Sequence, residues 1–217
     1  MASHEATSAH LHEATLTESA WGGGVRPFAT GSKKLGMWLF IISDAITFSA
    51  LLMAYSYVRV ASVAWPTPFQ FYPAIIKATV MTFILLTSSV TMVMAVRAAK
   101  VGSRASVVKW LLATMAGGLA FVAIHATEWV GLIEEGMRLF RNPWGSPLFG
   151  AAFFTLTGLH MTHVFIGVCY LGVVAGLVAM GKLTSEDVEV SGLYWHFVDL
   201  VWMFIFPLVY ILNIKMG

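Results

Sequence analysis

Five long apolar stretches divide the chain. Leu35–Val58 runs 24 residues with no Lys or Arg and one carboxylate, Asp44. Ala78–Val96 is charge-free and rich in hydroxyls: Thr79, Thr82, Thr87, Ser88, Ser89 and Thr91. Trp110–Ile133 is apolar apart from His125 and Glu128. Leu148–Met180 holds no Asp, Glu, Lys or Arg over 33 residues, and Ser191–Ile214 carries His196 and Asp199, with Pro207 beyond them. At ~1.5 Å per residue, about 20 residues cross a hydrocarbon core ~30 Å thick, so each stretch predicts a transmembrane helix. The fourth, ~50 Å long as a helix, must tilt or project beyond the bilayer. Pro207 predicts a kink. The ten-residue alternation of a membrane barrel does not occur. The fold class is therefore all-α: a polytopic five-helix transmembrane bundle over residues 35–217, behind a polar flexible tail at residues 1–34.

Composition strengthens that picture. Of 217 residues, 58% are hydrophobic and 11% charged, against about 25% charged in soluble domains. A net charge of +2 gives no electrostatic case for a nucleic-acid partner. The single cysteine, Cys169, excludes a disulfide framework and a CxxC metal site, and reads as a small packed hydrophobe. In the tail, no apolar run follows a basic start, so it is not a signal peptide. His4, His10 and His12 lie there among Glu5, Glu13 and Glu18. They suit a surface metal or proton-gathering site less well than a solvated tail.

Basic residues set the orientation. With the N-terminus cytoplasmic, the inner segments hold Arg26, Lys33, Lys34, Arg97, Lys100, Arg104, Lys109 and Lys182. The outer ones hold Arg59, Lys77, Arg138, Arg141 and Lys215. This excess predicts a cytoplasmic N-terminus and an exterior C-terminus. Trp38, Trp110, Tyr194 and Trp195 then fall at the inner interface, and Trp65, Trp129 and Trp144 at the outer one. Small-residue ridges at Ser43/Thr47/Ala50/Ala54, Ala113/Gly117, Thr114/Gly118 and Gly172/Gly176 predict close helix packing.

An ionisable side chain at membrane depth is costly, ~3 kcal/mol for an Asp at the centre on insertion scales, and so faces protein or water. Asp44 stands alone on its stretch. His125/Glu128, His160/His163 and His196/Asp199 each sit three apart, which puts each pair on one helical face. Hydrogen bonds between helices explain that spacing. Haem ligation, a proton path and a lipid-headgroup site are the sharper readings. For haem, His160 or His163 would need a histidine at matching depth. His125 lies outward and His196 inward of them.

These residues also resemble a known family. Tyr194–Trp202, YWHFVDLVW, closely resembles the last-helix signature of subunit III of the haem-copper terminal oxidases. Thr157–Gly167, TGLHMTHVFIG, is similar to that family's helix with two histidines three apart, and Phe149–Phe154, FGAAFF, to its approach. Leu39–Asp44, LFIISD, resembles the first core helix, and His125-Ala-Thr-Glu128-Trp129 its Gln-x-x-Glu-aromatic element. The matches keep the family's order from residue 35 to 214. Longer members have seven helices and Glu at the position of Asp44. Five helices and Asp are similar to the shorter bacterial form, quinol oxidases included, and His125 replaces the usual Gln.

The resemblance implies a subunit without catalytic, cofactor or metal site of its own, in a proton-pumping complex that reduces O2 to water. Haem and copper would sit in partner subunits. The partners would be subunit I directly, then subunit II and the small subunits, together with bound phospholipid in a bacterial inner membrane. Asp44, His163, Glu128 and His160 would support proton uptake and line a lipid cleft. His196 and Asp199 would form an inner polar pair that supports the bundle. Cytochrome c is the expected electron donor, quinol the alternative. A b-type haem or quinone-binding electron carrier is the competing class. A small transporter is disfavoured by the absence of internal repeats.

Overall fold

A computed structural model of the protein describes residues 31–215. The described residues form five long helices. They are α1 (Ser32–Ala61), α2 (Ile76–Val101, entered through a π turn at Phe71–Ile75), α3 (Arg104–Glu134), α4 (Leu148–Ala179) and α5 (Ser185–Ile205). A second π turn, Phe206–Tyr210, and a 3₁₀ turn, Ile211–Asn213, continue α5. Pro207 sits in that π turn, where the regular ladder gives way. All helices but α4 outrun their apolar stretches. Hydropathy marks the hydrocarbon slab, whereas the helical ladder continues into the headgroup layer, where Arg104 or Glu186 is solvated at no cost to it. The tail histidines His4, His10 and His12 lie outside the described residues.

Glycine closes three helices. Gly181 (φ +72°) follows α4, its N–H bonded to the Val178 carbonyl, while the Lys182 N–H reaches the Leu177 carbonyl. Gly102 and Gly136 do the same after α2 and α3. A left-handed residue there satisfies carbonyls the helix leaves open. At the start of α5 the Asp187 carboxylate takes the Thr184 N–H and hydroxyl, at 2.8 and 2.7 Å.

Helices α2, α3, α4 and α5 form a closed ring in which each packs on two neighbours. The α3 ridge is a true contact. A Cβ on Gly118 would lie 2.5 Å from Trp195 and 2.7 Å from Val168, and one on Gly117 would lie 2.7 Å from the Ser88 Cβ. Four hydroxyls of α2 reach neighbouring helices, whereas Thr79 and Thr87 bond only to carbonyls one turn back, Ile75 and Phe83. The Trp195 indole N–H donates to Ser88 (3.1 Å), the Trp202 indole N–H to Thr82 (2.9 Å), and Thr91 and Thr114 share a hydrogen bond (2.8 Å).

Two sequence expectations need correcting. Trp195 and Tyr194 do not present their rings to the surface as interfacial anchors would: both are buried, Trp195 fixed on α2 and Tyr194 donating its O–H to the His163 carbonyl. The ridge Ser43/Thr47/Ala50/Ala54 on α1 is exposed. Ile41, Phe48 and Tyr55, seven apart, are the residues of α1 that turn inward and bury. The small residues fall on the opposite face. In the 18-residue window defining each span, 11% of α1 is buried against 50% of α5, so α1 lies outside the ring.

Candidate functional site

Three polar clusters lie on helix–helix contacts, and α4 or α5 contributes to each. The first joins α2 to α5. Ser89 donates its hydroxyl proton to the Asp199 carboxylate (2.7 Å), and the same oxygen lies 3.0 Å from His196 Nδ1. A hydroxyl has one proton, so Nδ1–H must be the donor to Ser89. The order is thus His196 to Ser89 to Asp199. The second Asp199 oxygen is buried without a partner among the described residues. His196 and Asp199 are thus joined through a serine, not to each other.

The second cluster joins α1 to α4. Asp44 is not alone: its Oδ2 lies 3.2 Å from His163 Nε2. His163 Nδ1 is 2.8 Å from the Leu159 carbonyl, which can only accept, so Nδ1 carries a proton. The two side chains are 18% and 17% exposed. The contact is close enough for an ion pair but poorly aligned as a hydrogen bond, which leaves Asp44 Oδ2 without a hydrogen-bond donor. Phe48 covers the imidazole edge-on at 5.1 Å.

The third cluster fills the ring's interior. Tyr210 donates its O–H to Glu128 (2.7 Å), and His125 Nδ1 lies 3.6 Å from the same oxygen. His125 is stacked on Phe121 (5.6 Å, 12°) and His160 on Trp202 (5.2 Å, 25°), and both rings meet Phe121 and Trp202. The depths assigned from sequence separated His125 from His160, whereas the fold brings them to one aromatic cage. His160 and His163 diverge, one into the cage and the other toward Asp44. Neither nitrogen of His125 or His160 has a hydrogen-bond partner among the described residues, nor do Glu128 Oε1 and the Trp129 indole. Among the described residues no three His, Cys, Asp or Glu side chains converge as metal ligands.

Sequence reasoning missed Ser89, Tyr210 and Asn213. Asn213 receives the Trp65 indole N–H (3.0 Å) and donates to the Tyr55 hydroxyl and the Val209 carbonyl, tying the end of α5 to α1. The hydroxyl-rich second stretch was the available signal for Ser89. Nothing in the local sequence marked the other two.

Fold and clusters together define a polytopic membrane bundle whose ionisable groups bind helix to helix. The comparisons narrow this class. The chain belongs to the cytochrome c oxidase subunit III family, whose pattern matches residues 5–214. It is similar to quinol oxidase subunit 3 of Bacillus subtilis, 34% identical over 183 residues, covering 83% of this chain and 87% of the relative. It is also similar to cytochrome c oxidase subunit 3 of Alkalihalophilus pseudofirmus, 31% identical over 84% of this chain and 88% of the relative. Cytochrome bo(3) ubiquinol oxidase subunit 3 of Pseudomonas aeruginosa is 29% identical over 84% and 86%.

Proposed function

We propose that this chain is a non-redox accessory subunit of a proton-pumping terminal oxidase. It holds subunit I, binds lipid and supports proton uptake, while haem and copper reside in partner subunits. It lies in a bacterial inner membrane with its N-terminus cytoplasmic and residues 35–217 as its membrane domain. The observation that carries the reading is Asp44–His163. A close Asp–His contact joins the ring to a peripheral helix at membrane depth, where an isolated carboxylate costs ~3 kcal/mol. Such a pair fastens α1 while leaving both groups partly exposed. Glu128 and His160 contribute a buried polar interior, and His196 with Asp199 fastens α5 to α2.

The test starts by purifying through a tag on this chain. Co-purification of haem and copper with O2-reducing activity supports the reading. A reducible haem spectrum on the isolated chain overturns it in favour of an electron carrier. Asp44→Asn is expected to leave assembly intact and to change turnover lifetime or bound lipid. Wild-type values for both would remove Asp44 from that role. Cytochrome c was the donor expected from the sequence. Quinol is a second reading, favoured by the quinol oxidase subunit at 34% identity. Assay of the complex with each donor assigns it.

A further inference from the structure

A groove of about 700 Å³ opens where α3 begins and α4 ends, lined by Arg104, Ala105, Val108, Lys109, Leu112 and Ala179. Both charged residues in it are cations, and the other four are apolar. Arg104 makes no hydrogen bond or ion pair with the described residues. Nearby, Lys100 lies 3.9 Å from Glu189, and Asp187 caps α5. The Arg104 guanidinium rests against Gly181, where a Cβ would come within 2.7 Å of Nη1 and 2.9 Å of Cζ. The left-handed turn that ends α4 therefore also leaves room for the guanidinium.

Depth suits a lipid. Helix α3 has 31 residues, ~46 Å at ~1.5 Å each, so a ~30 Å hydrocarbon core centred on it reaches to about Lys109. Arg104 lies ~7.5 Å further out, at headgroup level, and Leu112 points into the acyl region. Lys109 Nζ sits 5.8 Å from the Trp110 ring, whose half-buried indole marks the same interface. An anion at the headgroup and an apolar wall beneath it describe one kind of occupant.

We propose that this groove binds an anionic phospholipid, its phosphate held by Arg104 and Lys109 and its acyl chains laid along Val108, Leu112 and Ala179. The site lies on the α3–α4 face, apart from Asp44 and His163, and stands independently of the oxidase role. The protein in its native assembly is placed in nanodiscs of phosphatidylethanolamine with one-fifth phosphatidylglycerol. Lipid retained after extraction is counted by native mass spectrometry. Wild type should retain phosphatidylglycerol selectively. Arg104→Gln/Lys109→Gln should lower that selectivity roughly 30-fold, the effect of two basic residues near an anionic surface. Arg97→Gln, outside the groove, should not. Ala105→Phe keeps both cations and fills the groove, and should also lose the lipid, so the test survives poor assembly of the double variant. Equal retention by wild type and either groove variant overturns the proposal. So does equal retention of both lipids by wild type, or displacement of phosphatidylglycerol by millimolar inorganic phosphate, which would mark a site for a free anion.

Discussion

Removing either member of the Asp44–His163 pair should not cost the same. The nitrogen and oxygen are 3.2 Å apart, and two unit charges at that distance attract by ~5 kcal/mol at an effective dielectric of ~20. Desolvation cancels much of this, and the residual exposure of both groups screens it further. What survives is set by the orphan left behind. His163→Leu leaves Asp44 without a partner at membrane depth, at ~3 kcal/mol. Asp44→Leu leaves a neutral imidazole whose Nδ1–H still reaches Leu159, so ~1 kcal/mol is lost. The double variant Asp44→Leu/His163→Leu leaves no orphan and should cost ~1 kcal/mol or less. A coupling of about 3 kcal/mol or more follows, well beyond the scatter of independent sites. The assay is a graded detergent challenge of the purified complex, with the fraction of this chain retained as readout. Each 1.4 kcal/mol moves that equilibrium about tenfold. Two results would refute the reasoning: a double variant equal to the sum of the singles, or Asp44→Leu proving the worse single change.

Two further substitutions probe the ring. Gly118→Ala places a methyl 2.5 Å from Trp195, which is bonded to Ser88 and cannot withdraw freely. A loss of about 1–3 kcal/mol is expected by chemical denaturation, with partial recovery when Trp195→Leu is added; strict additivity would show that the contact is not the cause. Ser89→Ala strips the donor from Asp199 and the acceptor from His196. It should loosen the subunit by ~2 kcal/mol before steady-state turnover falls, whereas Ser89→Thr retains most of the bond. A rate defect in a fully assembled Ser89→Ala complex would instead give the cluster a direct part in turnover.

The five helices were legible because length and apolarity suffice to name a membrane span. Pairs spaced by three were legible because one helix fixes its own faces. Contacts between helices need the rotation of each helix about its axis, which no single stretch encodes. Ser89 shows the difference. Six hydroxyls in one apolar stretch signalled polar business, yet only the packed ring shows Thr82, Ser88 and Ser89 turned to α5. His125 and His160 fail for another reason. Counted by residue they are offset, but α3 and α4 run in opposite directions, and helical side chains lean toward their own N-terminus. The two imidazoles therefore lean toward each other and meet at Phe121 and Trp202. Family resemblance assigned Asp44 and His163 to one lipid-cleft region, but their contact was not foreseen, because it too depends on how α1 and α4 are rotated.

Helix α5 emerges as the spine of the domain. Trp195, Trp202 and Asp199 bind α2 through three hydroxyls, Tyr210 beyond it binds Glu128 of α3, and Asn213 binds Tyr55 of α1. By contrast, α1 is fastened midway along by Asp44 and at its C-terminal end by Tyr55 and by Arg59, which donates to the Leu212 carbonyl (2.8 Å). Toward its other end, an open groove of about 300 Å³ lined by Met37, Phe40, Ile166, Tyr170 and Tyr194 lies along the seam with the ring, where Phe40 still meets Tyr194 at 6.0 Å. The polar side chains of α1 therefore set its angle to a ring that coheres without it. Weakening them changes what α1 presents to lipid or to a partner subunit, whereas weakening the α5 contacts dismantles the ring itself.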